Sequence, residues 1–159
     1  MINRRVKMII RPARTEEIQR LVEIWIAGSL TAHHFIKPDY WISRKEEMAE
    51  KYLPMAQSYV LEQDGVIAGF ISMVDHYLAA LFVDVTQQKK GYGKLLLDYI
   101  KQDHETVQLR VYQNNATATR FYRNNGFQVV DECVDESTGQ QEFVMEWKKE
   151  NAIPDYSIG

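Results

Sequence analysis

The strongest constraint on the fold lies mid-chain, where an unbroken apolar strand runs straight into a glycine turn and a helix start. Leu78-Ala79-Ala80-Leu81-Phe82-Val83 contains no polar residue. A strand with one wet face alternates apolar and polar side chains, so the run within Tyr77–Asp84 predicts a central strand covered on both faces. Gln88-Lys89-Lys90-Gly91-Tyr92-Gly93-Lys94 follows at once, and Tyr92, Leu95, Leu96 and Tyr99 then mark one face of a helix ending near Asp103. The first N–H groups of a helix have no backbone partner, and the helix dipole favours negative charge there. Gly91 and Gly93 lack Cβ atoms, so a ligand oxygen can approach the main chain, and Lys89, Lys90 and Lys94 add cationic charge. The passage reads as a phosphate or pyrophosphate site, although the two glycines alone are equally compatible with a plain strand-to-helix turn.

Around this centre the pattern predicts a mixed α/β fold. Val6–Ile10 reads as a first strand, and Thr15 as the cap of a helix running to about Gly28, with Ile18, Leu21, Val22 and Trp25 at helical spacing. An aromatic loop, His33 to Trp41, precedes a capping box at Ser43-Arg44-Lys45-Glu46 and a short helix ending near Pro54. Ser58–Gln63 and Val66–Val74 are strands joined by Asp64-Gly65, a pair suited to a tight hairpin. Val107–Tyr112 is a strand, Asn115–Asn125 a helix closed by Gly126, and Phe127–Val134 with Glu142–Trp147 a final hairpin. The order is β-α-α-β-β-β-α-β-α-β-β: one mixed sheet with helices on both faces.

Length and charge narrow the function. A chain of 159 residues suits one domain, read as residues 1–148 with a polar tail from 149 to 159. A net charge of −3 argues against nucleic acid as partner and mildly favours a cationic substrate such as an amine. The single cysteine, Cys133, cannot form an internal disulfide, and no Cys/His cluster has metal spacing, so no metal is expected. Arg4, Arg5 and Lys7 are not followed by a long apolar run, so neither a signal peptide nor a membrane span is expected, and a cytoplasmic location follows by default.

Two familiar phosphate motifs fail. A Walker turn needs glycine where Gln88 stands and Ser or Thr where Leu95 stands; the dinucleotide fingerprint needs glycine at Leu96. Gln88-x-x-Gly91-x-Gly93 after an apolar strand instead resembles motif A of the GNAT superfamily of N-acetyltransferases. Asn115, Ala118, Phe121-Tyr122 and Gly126-Phe127 match the spacing of its motif B. The resemblance runs from about Met8 to Trp147, and it is most similar to small bacterial YiaC-like acetyltransferases through His34-Phe35-Ile36, Trp41 and the Leu78–Val83 run.

That resemblance implies a central mixed sheet of about seven strands with about four helices, and acetyl-CoA as co-substrate. The main chain of Leu81, Phe82 and Val83 is expected to bind the pantetheine arm, and Gln88, Lys89, Lys90, Gly91, Tyr92, Gly93 and Lys94 the pyrophosphate. Asn115, with Ala118 beside it, is expected against the pantetheine, although Asn also caps helices well. Tyr122 is expected to protonate the leaving thiolate as general acid. The general base is a gap: where many relatives carry Glu, this chain has Ala79 and Ala80. His76 is the first substitute considered, with Asp75, Glu62, His33 and His34 as others, and a water chain as an equal alternative. His34, Phe35 and Trp41 are expected to wall the acceptor site. The acceptor is expected to be a primary amine, a protein lysine or N-terminal amine ahead of a small molecule, with a non-catalytic CoA-binding sensor as the alternative to an enzyme. The protein is expected to be a monomer or homodimer.

Overall fold

The computed structural model describes residues 7–149. Of the tail expected at 149–159, residues 150–159 lie outside the described residues, as do Arg4, Arg5 and Val6. The elements are β1 (Met8–Pro12), α1 (Ile18–Ala32), α2 (Pro38–Ser43), α3 (Lys45–Glu47), α4 (Leu53–Met55), β2 (Gln57–Gln63), β3 (Val66–Val74), β4 (Tyr77–Val83), α5 (Tyr92–Lys101), β5 (Thr106–Tyr112), α6 (Ala116–Asn124), β6 (Gln128–Asp135) and β7 (Gln140–Lys148). They form a seven-stranded sheet in the order β1-β2-β3-β4-β5-β7-β6. Only β4 and β5 pair in parallel; the other neighbours are antiparallel.

Two apolar layers sandwich the sheet. One, under α5 and α6, is built from Leu61, Ile71, Leu96, Leu97, Ile100, Leu109 and Met145. The other, under α1 and α2, holds Leu21, Val22, Trp25, Trp41, Val60 and Phe70. Strand β4 feeds both: Leu78, Leu81 and Val83 pack into the first, Ala80 and Phe82 into the second. The bare apolar run is therefore explained by helices on each side. The register against β3 jumps from Ser72↔Ala80 to Met73↔Leu78, leaving Ala79 as a bulged, exposed residue.

Several local expectations need correction. Helix α1 does not stop at Gly28 but continues to Ala32. A Cβ at Gly28 would lie 2.6 Å from Phe82 Cδ1, so this glycine lets the helix press onto β4 and is not a cap. Thr15 begins a 3-10 turn; the orphan donor at that end, Arg14 N–H, is met by Glu17 Oε1 at 2.8 Å. The Ser43 box does not form, because helix starts earlier at Pro38, a residue preset for a first helical turn. Ser43 Oγ donates back to Tyr40 O at 2.7 Å. Residues Met48–Tyr52 are a π-helical turn. Pro54 has no N–H for the carbonyl four residues before it, which favours such widening. In α5 the buried stripe is Tyr92, Leu96, Leu97 and Ile100, while Leu95 is exposed. Lys148 ends β7, and Lys149 N–H donates to Glu105 O at 2.8 Å, so the first residue of the expected tail is tied to the end of the sheet. Among the described residues no helix is long and apolar enough to cross a membrane.

Candidate active site

The site begins where the sheet comes apart. Between β4 and β5 one residue pair is matched, Tyr77↔Gln108, with Gln108 N–H donating to His76 O at 2.9 Å. Beyond it the strands diverge towards their carboxyl ends. The facing main-chain edges of Leu78–Val83 and Leu109–Tyr112 have no ladder between them. Buried main-chain groups need partners, so an unzipped seam in the middle of a sheet is a ready slot for a ligand rich in amides.

The glycine turn lies at the open end of that seam. Asp84 anchors it: its carboxylate accepts from Thr86 N–H at 2.8 Å and Thr86 Oγ1 at 2.7 Å and pairs with Arg20 of α1. Those bonds, from Thr86 first, hold the Asp84 carboxyl below the ordinary range. Gln88 Nε2 donates to Val83 O at 3.2 Å, which ties the turn to the strand. Lys89 takes φ 67° and Gly91 φ 81°, and α5 starts at Tyr92. Left-handed residues in a short turn are a conformation in which N–H groups can converge on an anion. Gly93 sits under Phe121, where a Cβ would be 3.4 Å from the ring. Lys90 and Lys94 are exposed and meet Gln87 and Asp98 at 2.9 and 2.6 Å. The Tyr92 side chain is buried on the inward face of α5, and its hydroxyl donates to Gln63, which leaves its main-chain N–H to the turn.

Helix α6 starts beside the seam. Asn115 caps it, with Oδ1 accepting from Ala118 N–H at 3.1 Å, while its Nδ2 lies 3.2 Å from His33 Nε2. Tyr122 is buried among Phe121 and Phe127, with ring centroids 5.2 and 5.4 Å away. Burial pushes its phenol well above the usual range, and the nearby Tyr77 adds to this. The hydroxyl therefore remains protonated at neutral pH.

On the other face the aromatic loop folds over the carboxyl end of β5. His33 stacks on Trp41 at 5.1 Å and meets Phe35 and Tyr112 edge-on. Burial lowers its pKa to about 4. A neutral ring whose Nε2 accepts from Asn115 is poorly placed to take a proton from substrate. Phe35 and Trp41 join this cluster; His34 stays exposed and touches Phe35 alone of the group. Next to the cluster is a cleft of about 660 Å³ whose lining includes Tyr40, Arg44, Tyr77, Arg110, Asp135 and Glu142. Asp135 accepts from Tyr112 Oη at 2.6 Å.

The remaining proton acceptors fall elsewhere. His76 and Asp75 are exposed in the β3–β4 turn, at the opposite end of β4 from the glycine turn. Glu62 is held by Arg11 at 2.8 Å on β2. Tyr77, Arg110 and Glu142 were not singled out from the sequence. Their alternation in strands is that of any half-exposed sheet face, and the residues meet only through strand pairing. Among the described residues no group of three or more His, Cys, Asp or Glu could hold a metal ion.

A seam of unpaired strand edges with a glycine turn at its mouth suits a long ligand that carries amides and an anionic group. The family model described as an acetyltransferase (GNAT) domain matches residues 27–149, and the chain belongs to that family of acetyltransferases. It is 36% identical over 140 residues to the peptidyl-lysine N-acetyltransferase YiaC of Escherichia coli K12, covering 87% of this chain and 96% of that one. It is 30% identical to the peptidyl-lysine N-acetyltransferase YjaB of Salmonella typhimurium, covering 76% and 83%. The fold matches the solution structure of apo-form YjaB from Escherichia coli with a TM-score of 0.79 at 24% identity, over 89% of this chain and 97% of that one. It also matches the paiA N-acetyltransferase of Thermoplasma acidophilum in complex with coenzyme A, with a TM-score of 0.75 at 24% identity, over 89% and 99%.

Proposed function

We propose that this acetyltransferase moves the acetyl group of acetyl-CoA to the amine of a protein, a lysine side chain foremost, in a ternary complex without a covalent enzyme intermediate. The observation that carries the reading is the placement of the open cleft on the face of the seam opposite α5 and α6, with Tyr77 in its wall. Donor and acceptor can thus approach from different sides. Three tyrosines and three carboxylates line the cleft with two arginines, Arg44 and Arg110, so the acidic groups outnumber the basic ones and the aromatic faces suit a long cationic side chain. The two curated relatives named above support a lysine acceptor.

Within this reading the N–H groups of Lys89 to Lys94 hold the pyrophosphate, and the β4 edge at Leu81, Phe82 and Val83 pairs with the pantetheine amides. Asn115 and Ala118 border the same arm. Asn115 has spent one amide hydrogen on His33 and one lone pair on its cap, so one donor and one acceptor site remain to it. Tyr122 supplies the proton for the departing thiolate. A cytoplasmic site of action, where protein lysines meet acetyl-CoA, completes the proposal.

The test is Tyr122→Phe. Turnover of a lysine peptide should fall about 100-fold, the lower end of general-acid effects. Acetyl-CoA affinity by calorimetry should be unchanged, since only a buried hydroxyl is removed. Undiminished turnover would remove Tyr122 from the reaction. Turnover of polyamines or amino acids but of no peptide would replace the protein acceptor with a small amine.

A further inference from the structure

We infer that Glu142 is the proton acceptor for the incoming amine, acting from the wall of the acceptor cleft on the far side of the seam from Tyr122. The inference rests on the transferase reading above and fills the place that Ala79 and Ala80 leave without a carboxylate.

Geometry selects Glu142 by what each neighbour is already doing. In the cleft, Asp135 is occupied by the Tyr112 hydroxyl at 2.6 Å, and Glu136 is exposed on the β6–β7 hairpin. Glu142 stands opposite Tyr112 and Cys133 on β7, half-buried, and the contact recorded for its carboxylate is the weak one from Cys133 Sγ at 3.6 Å. Its basicity follows from its surroundings: burial first, and then Asp135, raise the carboxyl above its ordinary value, while the thiol contact and Arg110 of β5 oppose this. Tyr40 of α2, Arg44 just after that helix and Tyr77 of β4 line the cleft with it. Tyr77 and Glu142 line the same cleft, and the Tyr77 phenol also contributes to the upward shift of Tyr122.

At pH 7 about one lysine amine in a few thousand is neutral, so some group must take a proton before attack. Glu142 takes one from the ammonium ion and passes it to solvent. The freed nitrogen lone pair forms the C–N bond to the acetyl carbon, and the C–S bond breaks. Tyr122 gives its proton to the sulfur and is reprotonated by the second hydrogen that nitrogen loses as the amide forms. One proton leaves overall, matching the conversion of an ammonium and a thioester to an amide and a thiol.

The experiment compares Glu142→Gln with the parent on a lysine peptide and on an analogue whose amine is about two pKa units more acidic, from pH 6.5 to 10. Glutamine keeps the shape and the acceptor for Cys133. We expect kcat/KM for lysine to fall about 100-fold at pH 7, with the deficit shrinking to a few-fold near pH 10 and with the acidic amine, at unchanged acetyl-CoA affinity. Glu142→Asp, which retains a carboxylate, should lie between. A deficit under threefold at pH 7, a deficit equal at every pH and for both amines, or Asp no better than Gln would each overturn the assignment. A parent that turns over neither amine would overturn the transferase reading itself.

Discussion

Burial of a neutral histidine beside the site should make stability fall with acid in a window that can be separated from every other group. His33 has its pKa lowered from 6.5 to about 4 by burial. The unfolded chain therefore binds a proton here that the folded one refuses. Above pH 6.5 neither state is charged and there is no penalty; as pH falls from 6.5 towards 4 the penalty grows. The gap is equivalent to ~3.4 kcal/mol, of which ~2 kcal/mol develops by pH 5. Solvent reaches part of the ring, which reduces this to about 1 kcal/mol. His33→Phe keeps an aromatic ring against Trp41 but cannot titrate. It loses the Asn115 hydrogen bond, a fixed cost of about 1 kcal/mol at any pH. Urea unfolding followed by tryptophan fluorescence from pH 7.5 to 5 should show the variant less stable at pH 7.5 and closing the difference by about 1 kcal/mol at pH 5. In melting temperature that is a convergence of roughly 2–4 °C. His34, His76 and His104 are the same in both proteins and cancel in the comparison. Parallel curves across the range would refute a buried neutral His33.

Two further predictions concern the scaffold. Arg11 holds Glu17 at 2.7 Å and Glu62 at 2.8 Å, and the bond from Arg11 is the main cause that lowers the Glu17 pKa to about 2. Stability from this group is present above pH 4.5 and lost as pH falls towards 2. Arg11→Met should therefore be about 1–2 kcal/mol less stable at pH 7 by chemical denaturation, with the deficit narrowing below pH 4. A Cβ at Gly69 would lie 2.9 Å from Phe82 O and 3.2 Å from Val83 Cα, both main chain. Gly69→Ala should cost about 2 kcal/mol in thermal unfolding and weaken acetyl-CoA binding in calorimetry, because β4 must shift at the mouth of the seam; an unaltered melting temperature would contradict that close approach.

What could be read in the chain alone follows from the range of the forces involved. The apolar run of β4, the Asp64-Gly65 hairpin with both residues at positive φ, and the Asn115 cap are local, and they stand where their residues predict. Gly28 misled because its role is set by Phe82, 54 positions away in sequence, and not by the helix it sits in. Leu95 and Leu97 are indistinguishable within the run Leu95-Leu96-Leu97 until the tilt of α5 on the sheet is known. The acceptor side was least legible. Glu142 gains its setting from β4, β5, β6 and α2 together, and His33 reaches Asn115 across 82 positions. Polar alternation in a strand says only that one face is not core.

The parted edges of β4 and β5 separate two kinds of information along the same six residues. Side chains at Leu81, Phe82 and Val83 answer to the cores above and below, while a donor bound in the seam, as proposed, would meet peptide groups, which are alike at every non-proline position. Drift in those side chains can follow the packing without touching donor recognition. The cleft proposed for the acceptor has no such protection, because its character is written in side chains, from Tyr40 and Tyr77 to Arg110, Asp135 and Glu142. Lineages built on this scaffold are thus free to change whom they modify while keeping what they carry.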